Sequence, residues 1–243
     1  MGKTFQFRII MKWFNTSKPY LLSASLICGN PLDLAKEIEE LEKAEIDSLH
    51  FDVMDGHFVP RIGLYSEMLK AITSATDIPV DVHLMIDSPG KHIPAFAAAG
   101  ADLITIHAEA VENVKPVIQI IKDLGMLAGI ALKPDTPLNT LDPILDDIDL
   151  VLLMAIHPGI LGQKLIPGTF QKISDLKDKL KSRPEIVIEI DGGVTPESAP
   201  KMVEYGANLL VCGTGTIYRP HEDTLENKII SLRKTINAAI HES

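Results

Sequence analysis

The sequence predicts a single α/β domain, a (β/α)8 TIM barrel, on three observations. Eight short runs rich in Val, Ile and Leu recur from Tyr20 onward, each of strand length. A helical pattern separates each run from the next, the alternation that builds a parallel sheet from βα units. Within the runs, polar side chains fall two residues apart, hence on one strand face, while the opposite face is mainly apolar. A chain of 243 residues suits one such barrel. A doubly wound open sheet is the competing arrangement, but no G-x-G-x-x-G turn follows the first run.

Taken in order, the first strand is expected over 22–27, with Ser23 and Ser25 on one face. A helix over 31–44 opens on Asn30-Pro31, a capping residue followed by Pro at the first helical position. The second strand, 48–53, aligns Ser48, His50 and Asp52; a helix over 66–73 leads to the third strand, 80–85, with Asp81 and His83. Helix 92–99 stops at Gly100, and strand 103–107 follows with Thr105 and His107. Helix 114–124 stops at Gly125 before strand 127–132, and a short helical segment over 138–145 leads to strand 150–154. Helix 170–181 precedes strand 186–190, whose polar face carries Glu189 and then Asp191. Helix 196–205 stops at Gly206, strand 209–212 is the eighth, and helix 224–239 closes the domain. A glycine after a helix suits the left-handed C′ position.

In a barrel the apolar faces meet the helices, so the polar faces point to the axis, where an unpaired polar group costs about 1–3 kcal/mol. Such a cluster needs a ligand or a hydrogen-bond network. Ser23, Asp81, Thr105, His107 and Glu189 lie deeper or off the rim, and about half are expected to be internal hydrogen-bond formers. His50, Asp52, His83 and Asp191 sit at the C-terminal ends of three strands, and two imidazoles with two carboxylates suit one divalent ion, Zn2+, Fe2+, Mn2+ or Co2+. An ion so held could polarise a ketone, hold the adjacent hydroxyl and stabilise an enediolate. Carboxylates on opposite sides of the substrate could then remove a proton from one face and return one to the other, inverting a stereocentre. Independently, Gly192-Gly193 after the seventh strand and Gly213-Thr214-Gly215 after the eighth form a candidate phosphate cradle. The segment from His157 to Gln163 is expected to act as a mobile lid over it.

Composition narrows the partners. Lys+Arg 23 against Asp+Glu 33 gives a net charge of −10, which repels a phosphate backbone or an anionic membrane surface, so neither nucleic acid nor membrane is expected. Only Cys28 and Cys212 occur, too few for a disulfide framework, and a reducing compartment, by default the cytoplasm, follows. Both are read first as small buried hydrophobes. Residues 1–19 are basic, through Lys3, Arg8, Lys12 and Lys18, and also apolar, but Arg8 and Lys12 interrupt them too often for a secretory core or a membrane span. They are expected to be an N-terminal extension packing against the barrel domain of 20–243, or the product of an upstream start codon, with an organellar presequence as the alternative.

From about Ser23 to Tyr218 the chain resembles the ribulose-phosphate 3-epimerase family through H-F-D-V-M-D-G-H-F-V-P, D-V-H-L-M-I, P-A-F-A-A-A-G-A-D, H-P-G-x-x-G-Q-K, E-I-D-G-G-V and C-G-T. The resemblance implies a metal-dependent isomerase of carbohydrate metabolism in the pentose phosphate pathway, interconverting D-ribulose 5-phosphate and D-xylulose 5-phosphate by inversion at C3. It implies His50, Asp52, His83 and Asp191 as metal ligands, with Asp52 and Asp191 also the acid/base pair. It further implies Ser25 and His83 as substrate contacts, Met54, Met85 and Met154 lining the pocket, and Gly159, Gly162, Gly192, Gly193, Gly213 and Thr214 in the phosphate-binding turns. A homo-oligomer is expected from the family.

Departures from the family pattern gather on the loops. Arg61 stands where the family usually has Asn; Gly63, Tyr65 and Ser66 replace its Thr/Ser-x-Gly-Pro; Ile160 and Leu161 replace Phe-Gly; and Ala155 replaces Ser or Thr. These keep a hexulose-phosphate substrate such as D-allulose 6-phosphate as the alternative within the class. Outside it stand a lyase or decarboxylase, for which Lys133 would be the strand-borne lysine, and a catalytically silent sugar-phosphate-binding barrel.

Overall fold

Eight parallel strands follow one another around a closed barrel in chain order, the last pairing with the first. The structure, a computed structural model, describes residues 18–160, 162–219 and 223–241. Most of the expected N-terminal extension lies outside the described residues. The strands are β1 (Leu21–Ser25), β2 (Ser48–Met54), β3 (Val80–Met85), β4 (Leu103–His107), β5 (Leu127–Leu132), β6 (Leu150–Met154), β7 (Val187–Asp191) and β8 (Leu209–Cys212). Seven α-helices are present among the described residues: α1 (Leu34–Lys43), α2 (Ser66–Thr73), α3 (Ile93–Ala98), α4 (Val114–Asp123), α5 (Thr169–Lys179), α6 (Ala199–Tyr205) and α7 (Leu225–His241).

The expected barrel and its eight strands are all found, and the differences sit at element ends. Helix α1 starts three residues later than Asn30-Pro31 suggests. The Asn30 side-chain oxygen accepts the Leu32 N–H at 3.1 Å and its carbonyl accepts the Asp33 N–H at 3.0 Å, so Asn30 closes a turn instead of capping a helix. The first strand stops at Ser25, where a 3-10 turn over Leu26–Cys28 begins. Between β5 and β6 the helical segment is only the 3-10 turn Leu138–Leu141. Helix α6 starts at Ala199, after a turn in which the Ser198 hydroxyl accepts the Thr195 N–H and donates to the Gly193 carbonyl. The left-handed glycines after α3, α4 and α6 are where the sequence places them, with φ of 94° at Gly100, 87° at Gly125 and 123° at Gly206.

The main core lies between sheet and helices, where Phe51, Leu49, Leu84, Ile104 and Ile106 are fully buried. Burying a side chain of that size contributes roughly 1.5–3 kcal/mol each. The barrel interior is divided. Toward β5, β6 and β8 it is apolar, filled by Leu127, Ala131, Leu150, Leu152 and Leu209. Toward β1, β2, β3 and β4 it is polar, and register sets the pairs side by side: Ser25 with His50, His50 with Asp81, Asp52 with His83, and His83 with Thr105. Gly129 of β5 is the neighbour of Thr105, and a Cβ there would sit 2.3 Å from the Thr105 hydroxyl and 3.2 Å from its Cα. Gly129→Ala is therefore expected to destabilise the fold by about 1–3 kcal/mol, the cost of overpacking a filled interior. A urea unfolding midpoint unchanged from the parent would refute that reading of the interior.

Candidate active site

Strand alternation delivers four ligand-type side chains to one point at the C-terminal end of the barrel. His50 and Asp52 rise from β2, His83 from β3 and Asp191 from the last residue of β7. One donor atom from each lies within 4.8 Å of the other three. His50 Nε2 is 3.3 Å from His83 Nδ1 and 3.4 Å from Asp52 Oδ1, while His83 Nδ1 is 3.6 Å from Asp52 Oδ1 and 3.7 Å from Asp191 Oδ2. Both imidazoles are fully buried and the Asp191 side chain is 18% exposed, so the cluster opens in one direction. Two nitrogens and two carboxylate oxygens at this spacing form a donor set for a divalent transition ion.

Three of the four members are held from behind. Ser25 donates its hydroxyl to Asp52 Oδ2 at 2.8 Å, leaving Oδ1 to face the cluster. His50 Nδ1 is 2.8 Å from Asp81 Oδ2, and Asp81 Oδ1 accepts the Thr105 hydroxyl at 3.1 Å. His83 Nε2 is 2.9 Å from His107 Nε2, and His107 Nδ1 is 3.1 Å from Glu109 Oε2. Partners of this kind fix the orientation and tautomer of an imidazole ligand. Of the deeper polar residues, Asp81, Thr105 and His107 thus have partners. Ser23 and both carboxyl oxygens of Glu189 have no hydrogen-bond partner among the described residues.

The electrostatics of the two carboxylates diverge. Burial works to raise Asp52, but the neighbouring His50 and His83 imidazoles outweigh it and hold Asp52 far below the usual carboxylate range. Burial and the charge of Asp52 raise Asp191. His50 is raised in turn, because Asp52 and Asp81 overcome the effect of its burial. Burial and the charge of Asp81 push Glu189 up to about 8. Paired carboxyl groups pushed apart in this way are a recurrent mark of acid/base sites.

Above the cluster is a cavity of about 220 Å³. Ser25, Met54, Met85 and Met154 line it beside Asp52 and Asp191, and the three methionines are nearly fully buried. Gly159, Gly162, Gly192, Gly193, Gly213 and Thr214 also line it. Gly192 has a φ of 89°, and a Cβ there would lie 2.3 Å from Ile156 Cγ1, so this turn admits only glycine. The residues after Gly213 form turns, with the Thr216 and Tyr218 N–H groups both reaching the Gly213 carbonyl. The candidate lid is clasped by Gln163, whose side chain donates to the His157 and Ile160 carbonyls at 2.6 and 2.9 Å. Leu161 lies outside the described residues.

The structure adds contacts at the rim that sequence spacing does not give. Asp55 organises the loop after β2: its carboxylate accepts the N–H groups of His57, Phe58 and Asp87. The D-G-H-F run marks that loop as a motif without revealing its hub. Arg61 on this loop lines the cavity as the one cationic side chain among its described lining residues. Cys28 also lines the cavity, where the sequence predicts a buried hydrophobe. Cys212 is buried as expected, and burial pushes its thiol up to about 12. Lys133 does not line the cavity; its ammonium group sits 3.9 Å above the Phe58 ring.

Comparison with known proteins gives the same direction. The model of the ribulose-phosphate 3 epimerase family matches residues 21–217. A ribulose-phosphate 3-epimerase of Bacillus subtilis (strain 168) is 46% identical over 195 residues, 79% of this chain and 90% of the relative. The chloroplastic ribulose-5-phosphate-3-epimerase of Arabidopsis thaliana is 41% identical over 80% of this chain and 70% of its own, and the Escherichia coli (strain K12) ribulose-phosphate 3-epimerase is 37% identical over 84% and 91%. Among solved structures, KGPDC from Streptococcus mutans superposes with a TM-score of 0.68 at 15% identity, over 90% of this chain and 98% of that one, a likeness of fold alone.

Proposed function

The chain belongs to the ribulose-phosphate 3-epimerase family, and from that membership together with the site geometry we propose that it interconverts D-ribulose 5-phosphate and D-xylulose 5-phosphate by inverting C3. The observation that carries the reading is the convergence of His50, Asp52, His83 and Asp191 at the floor of a cavity walled by glycine turns. A divalent ion held by those four, whether Zn2+, Fe2+, Mn2+ or Co2+, supplies Lewis acidity toward a ketone and its neighbouring hydroxyl. The protein's own groups do the rest. Asp52, held low by the His50 and His83 imidazoles and oriented by Ser25, is the base on one side of C3, and Asp191, whose raised carboxyl retains a proton more readily, serves the other side. The two exchange roles in the reverse direction. Met54, Met85 and Met154 exclude water around the reacting carbon, and the backbone amides of the glycine turns receive the phosphate.

The relatives named above all carry the pentulose-phosphate name, and none of these observations favours a hexulose phosphate or a silent barrel. With D-ribulose 5-phosphate and D-allulose 6-phosphate assayed side by side, kcat/KM for the pentulose is expected to be roughly 100-fold higher. Equal or reversed values would remove the pentulose assignment.

Arg61 attracts the substrate dianion to a chain that is otherwise acidic. Arg61→Ala is expected to raise KM roughly 10–100-fold with kcat little changed, as the loss of one charge-assisted contact of about 1.5–3 kcal/mol implies. A KM within about twofold of the parent would exclude Arg61 from binding. No helix among the described residues is long and apolar enough to cross a membrane. We place the protein in a reducing compartment such as the cytoplasm, as two free cysteines suit, and expect a homo-oligomer, which sedimentation velocity would count.

A further inference from the structure

Behind His83, on the side away from the cavity, a hydrogen-bonded line runs out through β4 to the loop after β5. His83 Nε2 meets His107 Nε2 at 2.9 Å, and the two rings stack with centroids 5.0 Å apart and planes 27° from parallel. His107 Nδ1 meets Glu109 Oε2 at 3.1 Å. The other oxygen, Oε1, accepts the Lys133 N–H at 2.8 Å and also the Thr136 hydroxyl. The loop carrying those two donors is pinned by Lys172 of α5, whose ammonium group donates to the carbonyls of Lys133, Pro134 and Thr136 at 3.0, 2.8 and 2.7 Å. Phe58 packs its ring 4.9 Å from that of His107 and is itself covered by the Lys133 ammonium group, so His107 is held by packing as well as by hydrogen bonds.

Only one distribution of protons satisfies this line while leaving His83 free to ligate. If the Nδ1 lone pair of His83 faces the cluster, its proton is on Nε2 and is donated to His107 Nε2. The proton of His107 is then on Nδ1 and is donated to Glu109 Oε2. Glu109 must present an acceptor on both oxygens, which a carboxylate does and an amide does not. Neither His107 nor Glu109 takes part in the proton transfers at C3.

We infer that His107 and Glu109 are positioning residues that lock His83 in the tautomer protonated on Nε2, so that Nδ1 is always presented to the metal. The inference rests on the four-residue metal site of the proposed function. Glu109 is the working end: its side chain is 21% exposed against complete burial of His107, so it can be changed without opening the core.

The test is Co2+ binding to metal-stripped full-length protein, followed by competition with a chromophoric chelator and by the visible absorption of the bound ion. Glu109→Ala and His107→Phe are expected to weaken Co2+ binding by roughly 10–100-fold and to change the ligand-field bands, the usual scale for removing a partner of a ligating histidine. His107→Gln, which can still accept from His83 through its side-chain oxygen, is expected to recover most of the affinity. In Zn2+-loaded parent protein, long-range 1H–15N NMR is expected to show a proton on His83 Nε2 and one on His107 Nδ1. Parent affinity and spectrum in Glu109→Ala with native circular dichroism would overturn the relay, even if His107→Phe failed to fold. A proton found on His83 Nδ1 would do the same. Failure of the parent itself to bind Co2+ would overturn the metal site and the relay together, which separates that outcome from failure of the relay alone.

Discussion

Replacing Asp191 by Asn is expected to lower kcat for epimerisation by roughly 10²–10⁴-fold, the range of a lost general acid or base. The amide keeps the volume and planarity of the carboxyl but cannot take up a proton. Asp191 ends β7 at the cavity floor, partly exposed, and none of the polar groups behind the cluster relies on it for a hydrogen bond, so the fold should be retained. The effect should also be one-sided. Asp52, still anchored by Ser25, can continue to exchange the C3 proton of the epimer that presents that proton to it. Deuterium should therefore enter one epimer from D2O at an appreciable rate and the other scarcely at all, while neither converts to its partner. Equal wash-in to both epimers, or near-parental turnover, would contradict the division of labour between the two carboxylates.

Removal of metal is expected to cost about 10³-fold or more in turnover, because Lewis-acid stabilisation of developing charge is worth several kcal/mol and each 1.36 kcal/mol is a factor of about ten. The barrel should survive the treatment. Without an ion, the raised His50 and the lowered Asp52 satisfy one another as a close charge pair, and Asp81 still accepts from His50, so no isolated charge is left in the interior. Dialysis against a chelator, with metal content and circular dichroism measured alongside activity, should give a folded and inactive protein. Adding back one equivalent of Zn2+, Fe2+, Mn2+ or Co2+ should restore it. Activity persisting with metal reduced to a trace would leave the four-residue cluster without its proposed role.

The barrel is legible in the sequence because its signals are local. Each strand is a run of apolar residues at strand length, and the glycines at 100, 125 and 206 stop helices where left-handed backbone is needed. The ligand cluster is legible because alternation forces His50 and Asp52 onto one face, and parallel register brings His83 beside Asp52. What sequence spacing does not reveal is the second rank of contacts. That the Ser25 hydroxyl is spent on Asp52, that Asp55 ties two loops together, and that Glu109 reaches His107 while holding the loop after β5 are consequences of side-chain directions at the barrel rim. The start of α1 escapes the sequence for a related reason. Asn30-Pro31 reads equally well as a cap or as a turn, and what distinguishes the two here is the fit of Glu37, whose carboxylate takes the Asn30 N–H at 3.0 Å.

The most direct test is proton NMR of metal-loaded protein with D-ribulose 5-phosphate in D2O. Deuterium is expected at C3 as D-xylulose 5-phosphate accumulates, and formation of D-xylulose 5-phosphate is expected to cease in both Asp52→Asn and Asp191→Asn. Folded, metal-loaded protein that forms no D-xylulose 5-phosphate and leaves the C3 proton unexchanged would contradict the proposed epimerisation.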